Sequence, residues 1–139
     1  MADTAEFRRR LLRIPEALRD DMMELIEAEA ERVAEVMRRV GPEDRTFALE
    51  RSIKVYQDKS ALRVRIKAGG PKTTRPVRTG LDLTYDYALA QEFGTREMPA
   101  NPFFYPVWRL KRRSARSRIA RGMKKVIQAA ARKQGFPNG

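Results

Sequence analysis

From about Glu16 to Val40 the apolar positions Leu18, Met22, Leu25, Ile26, Ala30, Val33, Met37 and Val40 recur at spacings of three and four. That period predicts a long amphipathic helix with one buried face. Asp20, Asp21 and Glu24 fall in its first turns and Arg38 and Arg39 in its last, an arrangement that complements the helix dipole. Pro15 suits the first turn, where a missing N–H costs nothing, and Gly41-Pro42 ends the pattern. Residues 5–14 predict a short helical lead-in.

The period then changes from 3.6 to 2. Ser52 to Gln57 sets Ile53 and Val55 on one side, and Ala61 to Ala68 sets Leu62, Val64, Ile66 and Ala68 opposite Arg63, Arg65 and Lys67. Strict alternation predicts strands with one wet face, and Asp58-Lys59-Ser60 between them reads as the loop of a hairpin. Gly69-Gly70-Pro71 breaks the second strand, and the polar segment to Gly80, with Lys72, Arg75 and Arg78, reads as a flexible excursion. Thr79 to Thr84 is a further strand through Leu81 and Leu83. Tyr85 to Phe93 reads as a short helix because Tyr85, Ala88, Leu89 and Phe93 fall near helical spacing, with Gly94 as its left-handed terminator. A last helix starts at Pro106 and runs from Val107 to about Gln134 with Val107, Leu110, Ile119, Met123, Val126, Ile127 and Ala130 on one side. Its middle, KRRSARSR, is too polar for burial and is expected to project from the body. Residues 134–139 read as a frayed end.

Between these elements lies YALAQEFGTREMPANPFFYP, Tyr87 to Pro106, in which aromatic bulk is interleaved with Gly and Pro. Such a stretch fixes an irregular loop against a core, since rings bury area while Gly and Pro set special backbone angles. Tyr87-Ala88, Glu92-Phe93-Gly94-Thr95, Met98-Pro99-Ala100, Pro102-Phe103 and Pro106 resemble the signature of the tail-completion or head-tail joining family of tailed bacteriophages, small neck proteins and minor tail components. The order of elements from about Leu18 to the final helix is similar as well. The resemblance implies a structural role at the neck or head-proximal end of a tail, where a ring of subunits, six by the family's pattern, joins the tail to the DNA-filled head. It implies self-association, contacts with other neck, connector and tail-tube proteins, transient contact with DNA, and no cofactor. It places the protein in the virion, and in the host cytoplasm during assembly. Tyr87, Glu92, Phe93, Gly94, Thr95, Pro99, Pro102, Phe103 and Pro106 would then serve as structural and interface residues.

The 139 residues suit one domain with one core, spanning 1–139. Cys and His are both absent, which removes thiol chemistry, Ser-His-Asp catalysis and nearly every zinc site. No secretory leader is recognisable and no apolar run reaches the roughly 18 residues needed to cross a bilayer, so a soluble, intracellular, non-membrane protein is expected. Asp82, Asp86 and Glu92 are the carboxylates near the signature stretch, but their spacing matches no metal motif. Glu92 is expected instead to accept hydrogen bonds from loop amides, those following Gly94 among them. No phosphate-binding glycine pattern occurs. The expected role is therefore not enzymatic.

Charge is polarised along the chain. Residues 1–50 hold 9 basic and 13 acidic residues (net −4), 51–97 hold 10 and 5 (net +5), and 98–139 hold 11 and none (net +11). Arg109, Lys111, Arg112, Arg113, Arg116, Arg118, Arg121, Lys124 and Lys125 go almost all the way round the last helix. They suit phosphate contacts with DNA, docking on an acidic surface such as the first helix of a neighbouring subunit, or a solvated face. Phe93 and Phe103 read as core; Tyr105 and Trp108 suit an exposed protein interface, where aromatics with nearby Arg are favoured. Stacking of single-stranded bases on the aromatics is the other reading. The expected architecture is α+β: a long amino-terminal helix on a small antiparallel sheet, an aromatic and Pro-rich loop, and a basic carboxy-terminal helix. A nucleic-acid-binding module built on that last helix is the alternative to the structural role.

Overall fold

Helix α1 spans Glu16–Val40 as its apolar period predicts. The chain is described by a computed structural model over residues 4–6, 9, 15–41, 47–76 and 84–133, with backbone alone for 72, 75, 76, 84 and 85. Most of the expected lead-in helix lies outside these residues, as do most of the expected strand at 79–84 and the frayed end. Pro15 caps α1 with its carbonyl, accepting from Arg19 N at 3.0 Å, and the Gly41 amide closes the other end on Met37 O at 2.9 Å. The buried stripe comprises Met22, Met23, Glu29, Val33, Ala34 and Met37. It is wider than the three-and-four spacing predicts, because sheet and helix cover α1 from two sides. Val40, at the end of the stripe, is exposed.

A short helix α2, Ala48–Ser52, precedes the hairpin. Ser52 therefore ends a helix instead of starting a strand: its hydroxyl donates to Leu49 O at 2.6 Å and accepts the Gly69 amide at 3.0 Å, ties that a strand residue could not make. Strands β1, Lys54–Asp58, and β2, Arg63–Lys67, pair antiparallel in register Val55 to Ile66. The loop is a 3₁₀ turn at Lys59–Ala61 capped by the Asp58 carboxylate, and it returns through Leu62 in the left-handed region, φ 48°. Val64 and Ile66 face inward and Arg63, Arg65 and Lys67 face solvent, as alternation requires.

After Gly70 the part of the polar segment that is described is ordered into secondary structure: a 3₁₀ turn at Pro71–Thr73 leads to β3, Thr74–Pro76, which pairs antiparallel with β4, Thr84–Asp86. Thr73, fully buried, accounts for this, since its hydroxyl bonds Gly70 O and the Asp86 carboxylate. Helix α3, Tyr87–Phe93, follows, and helix α4 runs Tyr105–Lys133.

Helices α1 and α4 form the most extensive contact in the molecule. The polar middle of α4 does not project. Ala115 is buried, Gly122 lies so close to Leu25 that a Cβ there would meet its methyls at 2.6 and 2.8 Å, and Arg118 Nε donates to Glu29 Oε2 at 2.9 Å. One small residue per two turns lets the backbones approach while the guanidinium groups on the other side of the helix stay wet. Arg38 ties α1 to the start of β1, donating from Nε and Nη2 to Ile53 O at 3.1 and 2.7 Å and from Nη1 to Glu31 and Glu35. Burial opposes its charge, yet those two carboxylates hold its pKa above the ordinary arginine value.

The core gathers Val33, Ala34, Met37, Leu49, Ile53, Ala88, Phe103, Val107 and Ala115. Phe103, 1% exposed, is its largest side chain and touches elements that are remote in sequence. Phe103→Ala is expected to cost about 3–5 kcal/mol, read as a fall in the urea midpoint with little change in slope.

Candidate assembly interface

The loop between α3 and α4 carries nearly all of the signature residues, and its shape is set by two carboxylates at the ends of α3. Asp86 caps the start: Oδ1 accepts the Ala88 amide at 2.9 Å and the Thr73 hydroxyl at 2.6 Å, while Oδ2 accepts the Gly70 amide at 3.0 Å. An Asp just before a helix is a cap signal; it is hidden in the sequence when the helix is started at Tyr85, because the strand in fact continues through Asp86. Glu92, buried near the other end, accepts the amides of Phe103, Phe104 and Tyr105 at 2.8, 2.9 and 2.9 Å. These are the amides of the two residues that lead into α4 and of its first residue, which have no intrahelical acceptor, and Pro106, next in line, has no N–H to satisfy. Glu92 thus accepts loop amides as expected, but ones eleven to thirteen residues on, and it serves as the amino-terminal cap of a different helix.

Between these anchors the chain turns on Gly94, whose φ is 76° and whose amide closes α3 on Ala90 O at 2.8 Å. Its ψ of 174° is extended, so it ends the helix without the left-handed geometry expected of it. Thr95 then builds a tight turn, its hydroxyl accepting from the Glu97 and Met98 amides and its own amide donating to Met98 O at 2.9 Å. The Asn101 amide returns to Gln91 O at 2.7 Å. Pro99 and Pro102 are exposed and hold the strap extended, and Tyr87 packs against the core.

The aromatics form a stair from interior to surface. Phe103 is buried; its ring lies 6.4 Å from Phe104, Phe104 lies 5.1 Å from Tyr105, and Tyr105 lies 6.0 Å from Phe93. Phe93 is 65% exposed and not core as its helical spacing suggests: with Ala88, Ala90 and Glu92 turned inward, the seven-residue α3 leaves Leu89 and Phe93 outward. Tyr105 is exposed as expected, whereas Trp108 is half-buried against the core. Two open clefts flank the stair. One, of about 280 Å³, runs between α1, β2 and α4 along Ile26, Val33, Ile66, Phe104, Trp108 and Ile119; the other, of about 300 Å³, is lined by Ile66, Ala88, Leu89, Phe93 and Phe103. Ile66, Phe104 and Tyr105 border both, so the apolar surface is continuous. A rigid aromatic surface of this kind is the chemistry of a protein interface centre.

The basic residues of α4 divide in two. Arg118 is paired with Glu29, and Lys111 is half-buried; Arg109, Arg112, Arg113, Arg116 and Arg121 are exposed, Arg116 at the edge of the first cleft and Arg121 beside Glu29 and Arg32 of α1. Among the described residues no group of carboxylates could hold a metal ion, Asp86 and Glu92 being engaged with amides; Asp82 lies outside those residues. Among the same residues no helix is long and apolar enough to cross a membrane.

Two substitutions test the loop. Glu92→Ala leaves three amides without their acceptor and should cost about 3 kcal/mol, with Glu92→Gln, which keeps one acceptor oxygen, roughly halfway. Gly94→Ala puts a Cβ at 2.8 Å from Ala100 N at positive φ and should cost about 2 kcal/mol; both are read by chemical denaturation.

Residues 5–94 match a family model described as "Bacteriophage HK97-gp10, putative tail-component". No curated protein and no solved structure matches the chain. The match covers α1, the β1–β2 hairpin and α3 up to the turning glycine, well over half of the sequence. The chain therefore belongs to the HK97-gp10-like family of bacteriophage tail components, structural proteins of the virion that work in contact with other phage structural proteins.

Proposed function

We propose that this tail component acts at the head-tail junction, as one subunit of a ring that completes the tail and joins it to the DNA-filled head. The observation that carries this reading is the continuous apolar surface of the two clefts, with Leu89, Phe93 and Tyr105 exposed at its rim. A chain that presents one such surface, and meets its neighbour with a different one, makes head-to-tail contacts that close into a ring when the rotation per subunit is right. The family resemblance suggests six subunits acting as single domains, assembled in the host cytoplasm. In this reading the signature residues are structural: Glu92, Gly94, Thr95, Pro99, Pro102 and Pro106 hold the strap, while Phe93 and Tyr105 meet the neighbour. No catalysis is required of it. The in-chain pairing of Glu29 with Arg118 means that the acidic and basic helices already meet once within the subunit, so contact between subunits falls to the aromatic surface.

Electron microscopy of particles made without this gene tests the reading: filled heads beside unattached or malformed tails are expected, and normally joined particles would overturn it. Phe93→Asp should keep the fold, since the ring is exposed. Burying such a ring contributes about 1.5–3 kcal/mol, so the variant should weaken subunit association by roughly tenfold to a hundredfold in sedimentation.

A further inference from the structure

The outward face of α4 has a different chemistry from the aromatic clefts, and the joining role does not use it. Every exposed position from Arg112 to Lys125 is Arg, Lys, Ser or Ala. Arg112, Arg113, Arg116, Arg121, Lys124 and Lys125 take part in no ion pair among the described residues, and α4 contains no acidic residue. We propose that this face binds the sugar-phosphate backbone of duplex DNA.

The helical positions give the geometry. At 100° per residue Arg112 and Arg116 lie on one flank of the exposed half and Arg121 and Lys125 on the other, with Arg113 and Lys124 along the crest between the small Ala120 and Ser117. A helix about 10–12 Å across fits a major groove about 12 Å wide. Lying there, it would set one cationic flank against each phosphate wall, leaving the two crest cations Arg113 and Lys124 as the long side chains that reach toward base edges. Binding should therefore depend on salt and little on sequence. An acidic protein is the other polyanion that a basic face could meet. Protein interface centres, however, are rich in aromatics, and none of the exposed positions of this face from Arg112 to Lys125 is aromatic. Duplex DNA fits the face better.

The test uses the full chain and fluorescence anisotropy with two unrelated duplexes of about 30 base pairs, titrated with salt from about 50 to about 200 mM. Two triple variants each remove three charges: Arg112→Gln, Arg113→Gln and Arg121→Gln on α4, and Lys54→Gln, Arg63→Gln and Arg65→Gln on the hairpin, all at exposed positions. Circular dichroism should find both folded. Similar affinity for both duplexes is expected. The α4 variant should flatten the slope of log affinity against log salt by about 2.7, at 0.9 per lost phosphate contact, while the hairpin variant leaves it nearly unchanged. Three results would overturn the proposal: no binding at the lowest salt, equal losses in both variants, which would reduce the effect to net charge, or displacement of DNA by polyglutamate as effective as by unlabelled duplex, which would assign the face to an acidic protein. None of these bears on the joining role, which is read on particles.

Discussion

A single buried carboxylate organises the second half of the molecule. Glu92 stands near the end of a seven-residue helix too short to persist alone, yet its two oxygens take three amides at the entry to a 29-residue helix, two just before it and one at its first residue. The negative charge meets those amides where the dipole of α4 is positive, so the bond that caps the helix also fixes where the helix begins. Phe103 is thereby held in the core, Phe104 and Tyr105 are aimed outward in sequence, and the strap of prolines has only one path. The aromatic surface is a consequence of that cap more than of the aromatic residues themselves.

The same economy of polar groups appears elsewhere. Asp86 holds three donors from two segments, Ser52 both donates and accepts, and Arg38 joins α1 to the strand that follows α2. Each places a buried or half-buried charge or hydroxyl where loops cross, so irregular backbone is satisfied without a large sheet. With two two-stranded ladders among the described residues and a narrow core, these ties supply the connectivity that strands supply in richer β folds. The charge polarity of the sequence takes on a spatial meaning too: α1 and α4 lie together through a small-residue seam and, among the described residues, one ion pair, and the excess positive charge is left exposed to solvent.

Where side-chain period alone decides structure, the sequence is readable. Helix α1 is found at Glu16–Val40, and alternation places Val64 and Ile66 inward. The role of Glu92 as an amide acceptor is also legible, because a lone acid in an aromatic loop needs donors. Which amides it takes is not, since that depends on how the strap folds back. Phe93 is misread because helical spacing defines a stripe without saying which way it faces; Glu92, drawn inward by its bonds, turns the ring out. The docking of KRRSARSR on α1, through Ala115 and Arg118, is missed because its signal is one Ala, one distant Gly and a partner, Glu29, that is 89 residues away from Arg118. The same packing turns a helix basic on nearly all sides into one with a dry seam and a cationic crest.

The open clefts have a thermodynamic corollary. Their walls, Val33, Ile66, Phe104 and Trp108, are the same side chains that make up or flank the core, so nothing separates the interior of the subunit from its apolar surface. Any protein that seats there extends the core instead of covering it, and by linkage its binding free energy adds to the stability of the fold. Were a partner protein to seat there, the melting temperature of this chain would rise with that partner's concentration.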